Sequence, residues 1–182
     1  MTPDEPGVDE EISVPTAEQM RSLGRRLASL LRAGDLVLLS GPLGAGKTTL
    51  TQGIGAGLGV RGSVTSPTFV IARVHPSLSE GPDLVHADAY RLGSRAEVDD
   101  LDLDTDLATA ITVVEWGDGL VEDLAPSFLS VRISAGEQAA AADPDDTGEA
   151  DIRRTVWVQG WGERWRDAAV ADAARLALAD LN

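Results

Sequence analysis

Residues 41–48 read GPLGAGKT and fit the pattern G-x-x-x-x-G-K-[ST]. Glycines let the backbone wrap closely, so that consecutive N–H groups point at phosphate oxygens. A helix beginning at the lysine would add the positive end of its dipole. Lys47 should then reach the β- and γ-phosphates of a nucleotide, while the Thr48 hydroxyl should bind Mg²⁺. The pattern therefore predicts a nucleotide phosphate site.

Lys47 is the only lysine in the chain, which carries 14 arginines. Guanine-specific GTPases of the Ras type read their base with an N/T-K-x-D motif, which needs a second lysine. Because the only lysine already lies in the phosphate loop, ATP or a loosely selected nucleotide is favoured over GTP.

Two acidic residues follow predicted strands, at the strand ends where open parallel sheets build their sites. Asp88 comes directly after residues 84–87, and Glu115 closes the apolar run at 111–114. Either could be the acid on the magnesium side of the nucleotide, and together they could hold Mg²⁺ and polarise a water molecule.

Other polar side chains leave alternatives open. Thr65, Ser66 and Thr68 could contact the metal or γ-phosphate, or form an ordinary turn around a proline. Arg91 could stabilise transition-state charge, but an ion pair with nearby acids is favoured. His86 is expected to pack in its strand or support a ligating side chain, and Trp116 to pack or to lie near the nucleotide.

The elements that must position these residues alternate between strands and helices. This alternation predicts one α/β domain with a mainly parallel sheet, antiparallel strands added at one edge after residue 128, and a C-terminal helix. Strands are expected at 12–14, 36–39, 69–74, 84–87, 111–115, 128–133 and 155–158. Helices are expected from residue 16 to 33, over 47–58, and over 163–178 with Trp165, Ala169 and Leu176 on one face. We expect 1–10 to be a disordered acidic lead, 11–182 the P-loop domain and 135–151 an exposed mobile loop.

Composition excludes several classes of function. The net charge of −15, from 15 basic and 30 acidic residues, argues against binding DNA or gripping RNA through a basic surface. No apolar run approaches membrane-spanning length, and the acidic start is unlike a secretory signal. The absence of cysteine excludes disulfides and thiolate chemistry. A cytoplasmic protein without a membrane partner is the expectation.

Four features together resemble the TsaE (YjeE) family: LGAGKT at 43–48, SPTF at 66–69, the HxDxYRL pattern at 86–92, and Glu115 followed by Trp116. Their order and spacing agree over about residues 12 to 165. The resemblance implies a P-loop ATPase of bacterial tRNA threonylcarbamoyladenosine synthesis. It implies that TsaB and TsaD are the partners and that they modify the adenosine beside the anticodon. The acidic charge of the chain also fits a protein that acts on this complex and contacts tRNA only indirectly.

The resemblance also implies roles for residues, with ATP and Mg²⁺ as cofactors. Thr48, Asp88 and Glu115 would surround Mg²⁺, Glu115 would be important for hydrolysis together with Lys47, and Arg154 would touch the nucleotide. The remaining nucleotide contacts expected in the loop and the first turn of the helix are Leu43, Gly44, Ala45, Gly46 and Thr49.

Two other functions stay open on the sequence. A small-molecule or nucleotide kinase can begin with a similar loop, although the arginine-rich lid of such enzymes is not evident here. A nucleotide-gated binding module, in which hydrolysis is incidental, is the other.

Overall fold

The computed structural model describes residues 5–67, 71–90, 97, 108–134, 137–138 and 152–179. The strands are β1 (Val8–Val14), β2 (Leu36–Ser40), β3 (Ala72–His75), β4 (Asp83–Asp88), β5 (Ala110–Glu115), β6 (Phe128–Ile133), β7 (Glu137–Gln138) and β8 (Ile152–Trp161). The helices are α1 (Ala17–Ala28), α2 (Lys47–Leu58), α3 (Glu163–Arg166) and α4 (Ala168–Ala179), with a short 3₁₀ turn at Glu122–Leu124.

The strands form one sheet in the order β1-β8-β6-β2-β5-β4-β3, with β7 paired to β8. Its centre is parallel, since β2 pairs with both β5 and β6, and β5 pairs with β4. The flanking strands β8, β1 and β3 pair antiparallel. β5 is buried along its whole length and β2 at all but its last residue, as expected of parallel strands covered on both faces. The predicted fold class is confirmed, but antiparallel strands lie at both edges and not only at the edge formed after residue 128, because β3 pairs antiparallel with β4.

Helices α1 and α2 pack on each other over the larger apolar core. Their backbones approach so closely that a Cβ added at Gly53 would collide with the carbonyl of Arg21, and one at Gly24 with that of Leu50. A smaller cluster, including Leu38 and Val114, lies on a second set of buried positions of the sheet. Glycine at these two positions therefore lets the two helices pack this closely.

The start of α1 agrees with the sequence, but its end does not. Thr16 caps the helix through a reciprocal capping box with Gln19. The helix ends at Ala28, not at residue 33 as predicted, because the next N–H groups bond three residues back and tighten the chain into turns. The apolar spacing of Leu30 and Leu31 continues beyond the helix because both side chains still pack against the core.

The first strand starts earlier than predicted. β1 begins at Val8, within the segment expected to be a disordered lead, and Val8 pairs with Gly160 of β8. Val8, Ile12 and Val14 are buried and alternate with exposed residues. The inward position between Val8 and Ile12 is occupied by Glu10. An acidic residue at this position interrupts the alternation of apolar and polar residues from which a strand is predicted. Residues 1–4 lie outside the described part of the chain.

The C-terminal helix is two helices, because the chain is extended at Asp167 between α3 and α4. This break rotates the buried face: Trp165, Ala171, Ala174 and Leu178 are buried, whereas Ala169 and Leu176 are exposed. The prediction that Ala169 and Leu176 share the inner face with Trp165 was therefore wrong.

Two other expectations are only partly covered by the described residues. β3 begins at Ala72, after the expected start at 69, and Ile71 before it has a positive φ of 67°. Of the loop expected at 135–151, only Glu137–Gln138 is described, and it pairs with the start of β8. The remaining predicted strands agree closely with the structure, apart from β8, which extends beyond 155–158 at both ends. None of the helices in the described ranges has both the length and the apolar character to cross a membrane.

Candidate nucleotide site

The glycine-rich loop at 41–46 joins the buried strand β2 to the start of α2. Gly44 and Gly46 have φ of 78° and 113°, a region that side chains with a Cβ rarely adopt. Gly46 caps α2, and its carbonyl accepts the N–H of Leu50 at 2.8 Å. The first N–H groups of such a helix have no intrahelical acceptor and favour an anion. The backbone thus has the features of a phosphate cradle.

Lys47 lies at this loop with only 5% of its surface exposed. Its Nζ donates to the carbonyls of Gly41 at 2.8 Å and Pro42 at 3.1 Å, and lies 4.2 Å from the centre of the Trp116 ring. Burial lowers the pKa of Lys47, and the nearby carboxylates of Glu115 and Asp88 raise it by less. Lys47 is thus a partly desolvated cation, and its ammonium group donates its hydrogen bonds to carbonyls of the loop.

The carboxylate of Glu115 connects three elements. Its Oε1 accepts a hydrogen bond from the Thr48 hydroxyl at 3.2 Å and lies 2.9 Å from Nε2 of His86. Thr48 is on α2, His86 on β4 and Glu115 at the end of β5. Both Glu115 and His86 are buried. Glu115, predicted from its position at a strand end, is therefore hydrogen-bonded to Thr48, predicted from the glycine-rich loop.

Asp88 ends β4 directly opposite Glu115 in the parallel register. It is buried, and its Oδ1 accepts the N–H of Tyr90 at 2.9 Å. Thr48, Asp88 and Glu115 thus offer hard oxygen donors at one edge of the sheet, which is the donor set Mg²⁺ prefers. Across the described ranges, no cluster of three or more His, Asp or Glu side chains could hold a metal by itself. These residues fit a Mg²⁺ that takes its other ligands from phosphate and water.

Trp116 has an unusual backbone for a residue that is not glycine, with φ of 61°. Its N–H donates to the carbonyl of Leu39 at 3.0 Å, and its ring lies 5.3 Å from that of Tyr90. The sequence left open whether this side chain packs or lies near the nucleotide. The structure places it against Lys47, at the edge of the phosphate loop.

A small pocket of about 70 Å³ adjoins the loop on the side of α1. It is lined by Ala17, Met20, Gly44, Ala45, Gly46, Thr49 and Arg154. Arg154 reaches the loop because β8 pairs with β1, where Val14 is its partner, just before α1 begins. Ala17 was missed by the sequence analysis, since a small apolar residue at the start of a helix carries no chemical signal. Leu43 is 94% exposed and its side chain extends into solvent, so the nucleotide contact predicted for this residue is one of its backbone.

Thr65 is a further candidate among the described residues, and the structure shows it in a contact outside this site. Thr65 is exposed, and its hydroxyl accepts a hydrogen bond from the Arg73 guanidinium at 3.1 Å. Thr68 and Arg91 lie outside the described residues.

Comparison with known proteins decides the family. The family model described as "Threonylcarbamoyl adenosine biosynthesis protein TsaE" matches residues 14–143, more than half of the chain. The chain belongs to the TsaE family. The matched range contains the phosphate loop, Asp88 and Glu115, and ends before Arg154.

Individual relatives agree with this TsaE assignment. The tRNA threonylcarbamoyladenosine biosynthesis protein TsaE of Streptomyces coelicolor is 62% identical over 159 residues, which cover 87% of this chain and 99% of that protein. The protein of the same name from Mycobacterium tuberculosis is 45% identical over 157 residues, 82% of this chain and 86% of its own. The crystal structure of Bacillus subtilis YdiB superposes with a TM-score of 0.65 at 25% identity, covering 92% of this chain and 95% of that one. The fold of this TsaE-family chain is thus one already seen in a solved structure.

Proposed function

We propose that this protein is a cytoplasmic, Mg²⁺-dependent ATPase of tRNA threonylcarbamoyladenosine biosynthesis. It would act with a TsaB–TsaD complex that modifies the adenosine beside the anticodon, and its ATP cycle would support repeated turnover of that complex. The observation that carries the proposal is the hydrogen bond between Thr48 and Glu115, because it joins the phosphate loop to a buried acid. The names of the relatives support the pathway.

Different residues would bind the phosphates, hold the metal ion and orient the attacking water. Backbone N–H groups of residues 43–49 and the Lys47 ammonium bind the phosphates, and Arg154 contacts the nucleotide from the adjoining pocket. Thr48 and Asp88 would hold Mg²⁺, which would supply charge neutralisation at the phosphates. Glu115 orients the attacking water or completes the metal shell. Catalysis would come from positioning and from stabilising charge on the transferred group.

The partner part of the proposal draws on the charge of the chain. A net charge of −15 repels a phosphate backbone, so direct binding of tRNA is disfavoured. A protein complex that itself holds the tRNA is therefore the partner we propose, with tRNA contacted only indirectly.

The primary test measures phosphate release from Mg-ATP, alone and with TsaB–TsaD from the same source and unmodified tRNA. We expect slow release by the protein alone, a changed rate with the complex, and repeated rounds of tRNA modification. Indifference to the complex, with phosphate transferred to a small acceptor, would contradict the proposal and favour a kinase.

Two variants separate binding from turnover. Lys47→Ala should abolish ATP binding measured by calorimetry, because the side-chain cation that donates to the loop carbonyls is removed. Glu115→Ala should bind ATP but release no phosphate, while Glu18→Ala, which changes an exposed acid on α1, should behave as wild type. Hydrolysis at the wild-type rate by Glu115→Ala would contradict its role. Full multi-turnover modification by a non-hydrolysing Glu115→Ala protein would favour the nucleotide-gated binding module.

A further inference from the structure

His86 is a fully buried histidine whose ring touches the candidate site from the neighbouring strand. Its Nε2 lies 2.9 Å from Oε1 of Glu115, the same oxygen that accepts the Thr48 hydroxyl at 3.2 Å. β4 and β5 pair in parallel, with His86 opposite Val113, so the ring reaches along the sheet towards the strand end. Both strands are buried, and a ring fixed in this way can orient a carboxylate closely.

The hydrogen bond assigns the protonation of the ring. A carboxylate oxygen can only accept, so Nε2 must carry the proton. Nδ1 is buried and has no hydrogen-bond partner among the described residues. A buried N–H without an acceptor is rarer in proteins than an acceptor without a donor. We therefore assign the donor role to Nε2, the ring nitrogen that faces Glu115.

Glu115 is held through one oxygen only. Oε1 accepts both hydrogen bonds, and in the described part of the chain the structure shows none to Oε2. The Thr48 hydroxyl would also bind Mg²⁺, whereas His86 would contact only Glu115 at this site. His86 is therefore the constant support of this carboxylate.

We propose that His86 is a positioning residue that fixes Oε1 of Glu115, so that Oε2 is presented to Mg²⁺ or its water in a single orientation. This inference rests on the proposed ATPase function. It goes beyond packing, because it requires a donor at the position of Nε2 and not merely a side chain of suitable volume. Partners of this kind commonly change metal affinity or activity by about 10-fold to 100-fold when they are removed.

The first experiment needs no nucleotide. The chain has two histidines, His75 and His86, so ¹⁵N spectra of the rings contain two sets of signals, which His75→Gln assigns. We expect the His86 ring to be protonated on Nε2, with resonances that shift in Glu115→Ala. A ring protonated on Nδ1, or one unaffected by Glu115→Ala, would overturn the proposal.

The second experiment compares substitutions of His86. Gln can place an amide N–H near the position of Nε2, whereas Leu has similar bulk and no donor. We expect His86→Leu to slow phosphate release from saturating Mg-ATP by about 10-fold to 100-fold and His86→Gln to retain most of the rate. Binding of ATP in the presence of EDTA should be unchanged in both. His75→Leu, which changes the other buried histidine, should keep the wild-type rate.

Equal losses in His86→Leu and His86→Gln, or no loss in either, would overturn the positioning role. If His86→Leu does not fold, His86→Asn replaces it, because its amide is polar but too short to reach Glu115. Wild-type protein that releases no phosphate would contradict the ATPase proposal, and the ring spectra would still decide whether His86 holds Glu115.

Discussion

Two buried carboxylates lie at opposite ends of the parallel strands and are held in different ways. Asp35 directly precedes β2, and Glu115 ends β5. Both oxygens of Asp35 accept from the Arg164 guanidinium, at 2.6 and 2.7 Å, and Oδ2 also accepts the N–H of Arg32 at 2.9 Å. Glu115 is held by the Thr48 hydroxyl and the His86 ring.

The difference separates a structural carboxylate from one suited to chemistry. Arg164 neutralises Asp35, donates to the carbonyl of Leu30 at 2.6 Å and lies 4.6 Å from the ring centre of Trp165, so this pair joins distant parts of the fold. The donors to Glu115 are a hydroxyl and an imidazole, and Lys47 nearby donates to loop carbonyls instead. A carboxylate held by such donors, without a guanidinium against it, can take a metal ion.

The largest expected effect is the loss of stability when the carboxylate of Asp35 is removed. Asp35→Ala leaves the largely buried Arg164 guanidinium, 11% exposed, without its counter-charge, and we expect the free energy of unfolding to fall by about 3–5 kcal/mol. Urea unfolding of the protein without nucleotide measures this loss, and ATP binding by the folded fraction should be unchanged.

A double variant tests the cause of that loss. If an uncompensated charge is responsible, Asp35→Ala combined with Arg164→Met should be more stable than Asp35→Ala alone. A double variant whose loss equals the sum of the two single losses would show that the pair acts through packing.

A smaller effect is expected when the charge of Glu115 alone is removed. Glu115→Gln keeps an oxygen that can accept from Thr48 and His86, so the free energy of unfolding should change by about 1 kcal/mol or less. Phosphate release should nevertheless be lost. Urea unfolding beside a turnover assay checks both, and a loss of stability as large as that of Asp35→Ala would remove the distinction between the two carboxylates.

The smallest effect concerns the pH dependence of stability. Burial lowers the pKa of His75, and the neighbouring His86 and Arg73 lower it further, so the folded protein resists its protonation. The unfolded chain therefore binds more protons just below the ordinary histidine pKa of about 6.5, and stability should fall as the pH decreases through that value. His75→Gln should show a shallower fall between about pH 7.5 and about pH 5.5 in urea unfolding. An unchanged slope would assign the dependence to other groups.

Local features of the fold could be predicted from the sequence. Glycines at fixed spacing predict the phosphate loop and the start of α2 (Lys47–Leu58), and continuous apolar runs predict the buried strands. All of these signals involve residues close together in the chain. Predictions failed where a single residue broke the local pattern, as Glu10 does in β1 and Asp167 does between α3 and α4. The roles of the candidate site residues stay predictions, although the structure brings Thr48, Asp88 and Glu115 to one edge.

The sequence by itself determined the glycine-rich loop and the family, because both depend on short motifs in a fixed order. Only the tertiary structure decided which side chains meet. Glu115 bonds residues 29 and 67 positions away, and Asp35 bonds Arg164 across 129 positions. These contacts depend on a sheet order that differs from the chain order, since β5 lies between β2 and β4. No pattern of neighbouring residues encodes that order, because it results from burying all the strands and helices at once.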